Sequence, residues 1–214
     1  MHEGLYEQLC SQQVLLQAWE KIKTKGSAGG IDRVSVEMFE DGLNSNINSL
    51  AEQLSSGHYI PEPYQEIKVP KDDGEHRCLS LPTIKDKIVQ CAVKDLMEPL
   101  LEKQFLDVSY AYRPGKGTER AIARASHLIV TEKRQWATVC DIDNYFDTVD
   151  HALLLEMLSG TFAERDLVRL VSLWVKMGRV DQNGSWKPMK QEFRREASYR
   201  RCWPISIFIL SIFS

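Results

Sequence analysis

The chain reads as an α+β protein in which helices dominate, and three observations predict it. Apolar residues recur at helical spacing in several separate stretches. An Asp73-Gly74 turn signal sits between two short runs of strand-forming residues, which predicts a hairpin. A short apolar run, Trp136-Ala-Thr-Val-Cys140, ends on the carboxylate of Asp141, as a buried strand would.

Leu15, Ala18, Trp19 and Ile22 place one amphipathic helix near the start, and Gly26-Ser-Ala-Gly-Gly30 breaks it. Ser35 to Leu54 reads as helical again, with a polar interruption near Asn44 to Asn48. Tyr64 to Val69 reads as a strand with Ile67 and Val69 on one face, and Arg77 to Leu81 as its return. Thr83 is placed to cap a long helix from Ile84 to Leu101, whose stripe is Ile88, Ala92, Leu96 and Leu100. Ala121, Ile122, Ala125, Leu128 and Ile129 mark a further helix. Beyond the strand ending at Asp141, one helix begins near Asp150 and another carries Leu167, Leu170, Val171, Trp174 and Val175. No repeat or low-complexity linker interrupts this order.

The 214 residues suffice for one or two domains with a real core. A hydrophobic share of 43% and a charged share of 27% are those of an ordinary soluble globular protein. A formal charge of −3 is not that of a strongly basic nucleic-acid binder, although a local basic groove can sit on a near-neutral protein. Cys10, Cys78, Cys91, Cys140 and Cys202 are scattered without a CxxC pair, which argues against a zinc site and a disulfide framework. That usage, with no basic-then-apolar pattern at Met1, gives a cytoplasmic expectation. The apolar run from Trp203 to Phe213 is too short for a confident membrane span, so no membrane partner is expected.

Three blocks carry chemistry. In Lys71-Asp-Asp-Gly-Glu-His-Arg77, a hairpin with a cation on each arm can fold over a triphosphate, lysine as a point charge and arginine as a bidentate fork. Taken alone, a solvated hairpin explains the same residues. In Ser109-Tyr-Ala-Tyr-Arg-Pro-Gly-Lys-Gly117, a fixed turn presents backbone and cation together; the structural alternative is a loop with Arg113 paired to a carboxylate. In Asp141-Ile-Asp-Asn-Tyr-Phe-Asp147, Asp141 can bind Mg²⁺ that bridges nucleotide phosphates, with the backbone carbonyl of Ile142 beside it. Phe146 is placed to pack its ring against a sugar. Asp143 and Asp147 are weaker ligand candidates, because side chains alternate along a strand and a turn redirects them. The alternative here is a solvated turn and a helix cap at Asp147 or Asp150.

Together these blocks resemble the reverse transcriptases of the bacterial group II intron type, with retron and CRISPR-associated relatives in the same circle. Gly29-Gly30-Ile-Asp32, Tyr59-x-Pro61-x-Pro63, Lys71 to Asp86, Ser109-Tyr-Ala-Tyr-Arg-Pro114 and Asp141-Ile-Asp-Asn-Tyr-Phe-Asp-x-x-Asp-His151 follow family order from about residue 20 to residue 190. The resemblance implies a right-hand polymerase that copies an RNA template from a DNA primer using Mg²⁺ and deoxynucleoside triphosphates. It implies an N-terminal helical extension in residues 1–57, fingers in 58–130, a partial palm in 131–190 and an aberrant apolar tail in 191–214. By the same resemblance, Asp141 is the catalytic metal ligand and Lys71, Arg77 and Phe146 meet the nucleotide. Arg113, with Lys116 and Lys68, meets nucleic acid. Intron RNA or a CRISPR integrase are the further partners it suggests.

The resemblance departs after about Lys190. The family's Pro-Gln-Gly, Ser-Pro-Leu-Leu-Ala-Asn and Tyr-Ala-Asp-Asp do not occur in the 214 residues, nor does a thumb, so the palm sheet is expected to be incomplete and the chain inactive. A permitted codon choice for Arg195 to Ser211, read one base earlier, gives Gln-Gly-Ser-Val-Ile-Ser-Pro-Leu-Leu-Ala-Asn, so a frameshift near residue 191 is the expectation. The alternative functions are a non-catalytic RNA-binding fragment and a pseudogene product. The tail's apolar, β-rich, mostly uncharged character makes it an aggregation hazard when exposed. Deleting residues 191–214 is therefore expected to leave solubility unchanged or higher, as measured by the soluble fraction on expression; reduced solubility would mean that the tail packs into the core.

Overall fold

Thr83 opens the longest of the described helices, as its sequence position predicts. Its Oγ accepts a hydrogen bond from the Asp86 amide at 3.2 Å, and the helix runs from Ile84 to Leu101. The computed structural model describes residues 4–70, 76–141 and 149–188, and of Arg77 only the backbone. Within them the order is α1 (Leu5–Leu9), α2 (Gln12–Thr24), α3 (Val36–Asp41), α4 (Leu43–Ser55), β1 (Tyr64–Pro70), β2 (His76–Leu81), α5 (Ile84–Leu101), α6 (Thr118–Val130), α7 (His151–Thr161), α8 (Arg165–Lys176), β3 (Arg179–Val180) and β4 (Trp186–Lys187). The mixed α+β class is the one expected. The Asp73-Gly74 turn lies outside the described residues.

Helix α5 packs against α2, and the core gathers around that pair. Leu15, Ala18, Trp19 and Ile22 of α2 are all buried, as their spacing requires. On α5 the stripe drifts: Ile88 and Ala92 are buried, but Val93, Met97 and Leu101 replace the expected Leu96 and Leu100, which are only partly buried. A helix of 3.6 residues per turn rotates an i, i+4 row off the core within a few turns, which accounts for the change. The break in the Ser35–Leu54 stretch falls at Gly42 rather than at Asn44 to Asn48. Asn46 instead bridges the two helices by donating to the Phe39 carbonyl at 2.9 Å. Every expected apolar position of α8 is buried, and Asp150 caps α7 by accepting from the Ala152 and Leu153 amides.

The sheet has the order β2-β1-β3-β4, with β1 antiparallel to β2, parallel to β3, and β3 antiparallel to β4. Core-facing positions on β1 are Tyr64 and Glu66, so Ile67 and Val69 share the opposite, partly exposed face. The β3–β4 hairpin was not anticipated, although Asn183-Gly184 is its turn signal and Gly184 takes a φ of 78° there. The run Trp136–Cys140 corrects the expectation of a buried strand: it forms no strand, and Trp136 and Val139 are 94% and 92% exposed. A strand needs a neighbour for its amides and carbonyls, and none of the described strands lies beside it. Helix α6 forms where its periodicity places it, yet it buries no residue among those described.

A buried hydrogen-bond network locks these elements together. Asp86 is 1% exposed; it accepts from the Tyr59 hydroxyl at 2.6 Å, the Thr83 hydroxyl at 2.7 Å and the Glu62 amide at 3.0 Å. Trp174 of α8 donates its indole N–H to the Tyr59 oxygen at 3.3 Å. Burial pushes the Asp86 carboxyl above the usual aspartate range, while the bonds from Tyr59, Thr83 and Glu62 and the charge of Lys85 pull it back. A raised carboxyl favours the folded state when protonated, so this contribution is lost as pH rises from the usual aspartate range through the folded value. Asp86→Asn is expected to remove that slope in thermal melts run from mildly acidic to neutral pH. Asp86→Ala, which strands three donors, is expected to cost roughly 3 kcal/mol; equal pH slopes in wild type and D86N would show that Asp86 does not titrate on folding.

Candidate nucleic-acid and nucleotide site

The β1–β2 ladder sets the local frame for the cationic hairpin. Its register pairs Lys68 with Cys78, Val69 with Arg77 and Pro70 with His76. Ladder partners share a face, so Lys68 lies on the face of Tyr64 and Glu66, further out along the strand and exposed. Lys71 lies outside the described residues, as does the side chain of Arg77. The pairing still brings the backbone of Arg77 level with Val69, two residues before Lys71.

Glu66 is 5% exposed and anchors the other side of β1. Arg179 Nε approaches its Oε2 at 2.8 Å, an ion pair whose N–H is not aligned for a hydrogen bond. Lys187 Nζ lies 3.7 Å from Glu66 Oε1 and 3.0 Å from Asp181 Oδ2. The Asp181 carboxyl is held below the usual range by its Lys187 bond and by the Ser185 and Asn183 amides, while Lys187 is held above its own by Asp181. A buried carboxylate requires such partners, so Glu66 draws β3 and β4 onto the sheet.

Arg113 occupies the ion pair that its loop offered as the structural alternative. It is 8% exposed, and its Nε and Nη2 donate to Glu102 at 3.1 and 2.6 Å. Nη1 donates to the carbonyls of Leu106 and Ser109 at 2.6 and 2.8 Å, and the guanidinium carbon sits 4.6 Å from the Phe105 ring centre. The guanidinium fork is thus spent on shaping its own loop. Lys116 donates to the Asp107 carbonyl at 3.2 Å, lies 3.8 Å from the Asp107 carboxylate and sits 5.7 Å from the Tyr110 ring centre, so its charge is partnered within the loop beside an aromatic ring.

Asp141 is exposed at the end of the extended run. Ile142, Phe146, Asp143 and Asp147 lie outside the described residues. Among the described residues, no three His, Cys, Asp or Glu side chains converge in a way that could hold a metal ion. None of the described helices is long and apolar enough to cross a membrane.

A sequence model of the family described as reverse transcriptase (RNA-dependent DNA polymerase) matches residues 69–195. The protein YkfC of Escherichia coli K12 is 33% identical over 165 residues, which is 75% of this chain and 43% of YkfC. The group II intron-encoded protein LtrA of Lactococcus lactis subsp. cremoris is 25% identical over 184 residues, 83% of this chain and 29% of LtrA. The chain thus spans less than half the length of these two relatives. In fold, it is similar to a chain of a partial Cas6-RT-Cas1–Cas2 complex, with a TM-score of 0.56 and 18% identity over 98% of this chain and 34% of that one.

The Arg113 geometry gives a direct test. Hydrogen bonding from Arg113 holds the Glu102 carboxyl below the usual glutamate range. A depressed carboxyl stabilises the fold above the usual glutamate range and loses that contribution as pH falls through the folded value. Arg113→Lys cannot reproduce the fork and is expected to cost about 2 kcal/mol and to flatten the acid limb of stability against pH. Denaturant melts at neutral and acidic pH would measure both; an unchanged acid limb would mean that Glu102 titrates without Arg113.

Proposed function

Because the chain belongs to the reverse transcriptase family, we propose that it carries the triphosphate-binding fingers and the first part of the palm of an RNA-directed DNA polymerase of the group II intron type. The observation that carries this reading is the β1–β2 ladder, whose register sets the backbone of Arg77 opposite Val69, two residues before Lys71 and at the start of the stretch that matches the family. Lys71 and Arg77 are assigned to the phosphates of the incoming deoxynucleoside triphosphate, and Phe146 to its sugar. Lys68 and Lys116 are assigned to the backbone of template or primer. Arg113 is assigned to hold the Lys116 loop in shape.

Asp141, with the carbonyl of Ile142, is assigned to Mg²⁺. Such an ion binds through one or two carboxylates and completes its shell with water and phosphate oxygens, so an exposed carboxylate suits the protein's share. When bound, the ion supplies charge neutralisation at the phosphates. A two-metal transfer needs further carboxylates than Asp141, so this chain alone is expected to bind its substrates without polymerising. The intron and CRISPR settings of similar proteins suggest an intron RNA or an integrase as partners of the whole protein.

The test is binding and primer extension with the 214-residue chain, using an RNA template annealed to a DNA primer, with Mg²⁺ and deoxynucleoside triphosphates. Salt-dependent binding without incorporation is expected. Lys68→Ala is expected to weaken binding across sequences and to lower the slope of log affinity against log salt by about 1. An unchanged slope would remove Lys68 from the interface, and incorporation would show that Asp141 does not need the further carboxylates.

A further inference from the structure

The two faces of α6 differ in kind. Ile122, Ala125 and Ile129 fall on one side, while Arg120, Arg124 and His127 recur at helical spacing on the other. The carboxylate within the helix, Glu119, stands in its first turn, at the far end from His127.

At its end the chain turns back through a conformation that lysine seldom adopts. Lys133 has a φ of 53°, in the left-handed region that usually falls to glycine or asparagine. The turn closes as the Glu132 amide donates to the His127 carbonyl at 3.2 Å and the Arg134 amide to the Leu128 carbonyl at 3.0 Å. Backbone amides thus satisfy carbonyls of the last helical turn, so the neighbouring side-chain cations are not spent on capping them.

The turn gathers charge instead. Glu132 lies 3.4 Å from Arg124 Nη1, 3.9 Å from His127 Nε2 and 3.6 Å from Arg134 Nε. Of these contacts the first is a hydrogen bond, and a long one. One carboxylate therefore faces two permanent cations and an imidazole, all three on exposed residues. Arg113 is the contrast, with its fork filled by Glu102 and two carbonyls. The forks of Arg124 and Arg134 keep N–H donors for an oxygen-rich anion, and a guanidinium matches phosphate in geometry.

Position points to the source of the phosphate. Arg134 precedes Asp141 by seven residues, which span at most about 25 Å of extended chain. A duplex advances about 3.4 Å per nucleotide of each strand, so a strand ending at Asp141 has phosphates within that distance. We propose that Arg124, His127 and Arg134 form a seat for one phosphodiester of the bound nucleic acid, which displaces Glu132 as their partner. This assignment rests on the reverse transcriptase reading and adds to it a backbone contact on α6, outside the triphosphate hairpin.

The experiment measures binding of a fluorescein-labelled RNA template annealed to a DNA primer to the 214-residue chain, by anisotropy across a salt series. The R124Q/R134Q variant is expected to weaken binding roughly tenfold at low salt and to lower the slope of log affinity against log salt by about 1. Glu132→Gln, which frees the cations, is expected to tighten wild-type binding several-fold and to change nothing in R124Q/R134Q. Lys25→Gln, which removes an exposed charge at the end of α2, is expected to keep the wild-type affinity and slope. If R124Q/R134Q fails to fold, as judged by circular dichroism, Arg134→Gln alone, outside the helix, is expected to lower the slope. An unchanged slope in a folded arginine variant overturns the seat. Equal tightening by E132Q in both backgrounds, or an equal loss in K25Q, overturns it as well. In each case, a lowered slope in K68A leaves the nucleic-acid-binding reading standing. Absence of binding by wild type overturns both.

Discussion

One buried carboxylate fixes how the helices meet the sheet. Asp86 lies in the first turn of α5 and takes hydrogen bonds from Thr83, from the Glu62 amide and from Tyr59, whose oxygen in turn receives the Trp174 indole. A carboxylate out of water is tolerated only when its lone pairs are filled, so each donor is held to a narrow geometry. Tyr59 and Glu62 stand just before β1, and Trp174 lies on α8, which leads into β3. The network therefore sets the direction from which both the cationic hairpin and the β3–β4 hairpin leave the core. Gly30 contributes from the other side: its Cα lies so close to Pro82 and Thr83 that a Cβ would stand 2.7–2.8 Å from their backbones, which seats the Gly29-Gly30 loop against the start of α5.

A second buried carboxylate extends that order to the sheet. Two-residue strands such as β3 and β4 have too little ladder to persist unaided. Glu66 needs cations, Arg179 and Lys187 supply them, and the strands that carry them are drawn into place. The same pairing positions Val180 and Trp186 on the outward face. A charge requirement on the inner face thus decides which side chains the outer face presents.

What could be read from the sequence divides along physical lines. Helix caps were legible at Thr83 and Asp150 because a side-chain oxygen there acts on amides two or three residues away, which is a local effect. The buried stripes of α2 and α8 were legible because their periodicity matches the helix repeat over a short length. Ile67 and Val69 share a face of β1 as their alternation requires, but which face turns inward was not legible, because the inward residue, Glu66, is charged and its partners lie more than a hundred residues away. Arg113 offered an ion pair as one of its readings in the sequence, but its partner, Glu102, could be named only from the structure. Asn183-Gly184 was a hairpin signal in plain view, but the strands it joins are too short for alternation to be seen.

The run from Trp136 to Asp141 shows where sequence pattern stops and tertiary structure begins. Its composition is that of a buried strand, yet Trp136 and Val139 are almost fully exposed and no described strand pairs with it. Helix α6, just before it, likewise exposes Ile122 and Ile129 from a well-formed amphipathic pattern. Both patterns specify a surface that fits against something apolar, and neither specifies what covers it. For Asp141 the consequence is chemical. A metal ligand acts only when its carboxylate is held to within about half an ångström, and a strand achieves that through the ladder on either side of it. The residue type at position 141 can thus be right for the chemistry while its precision depends on strand pairing, which the described residues do not supply.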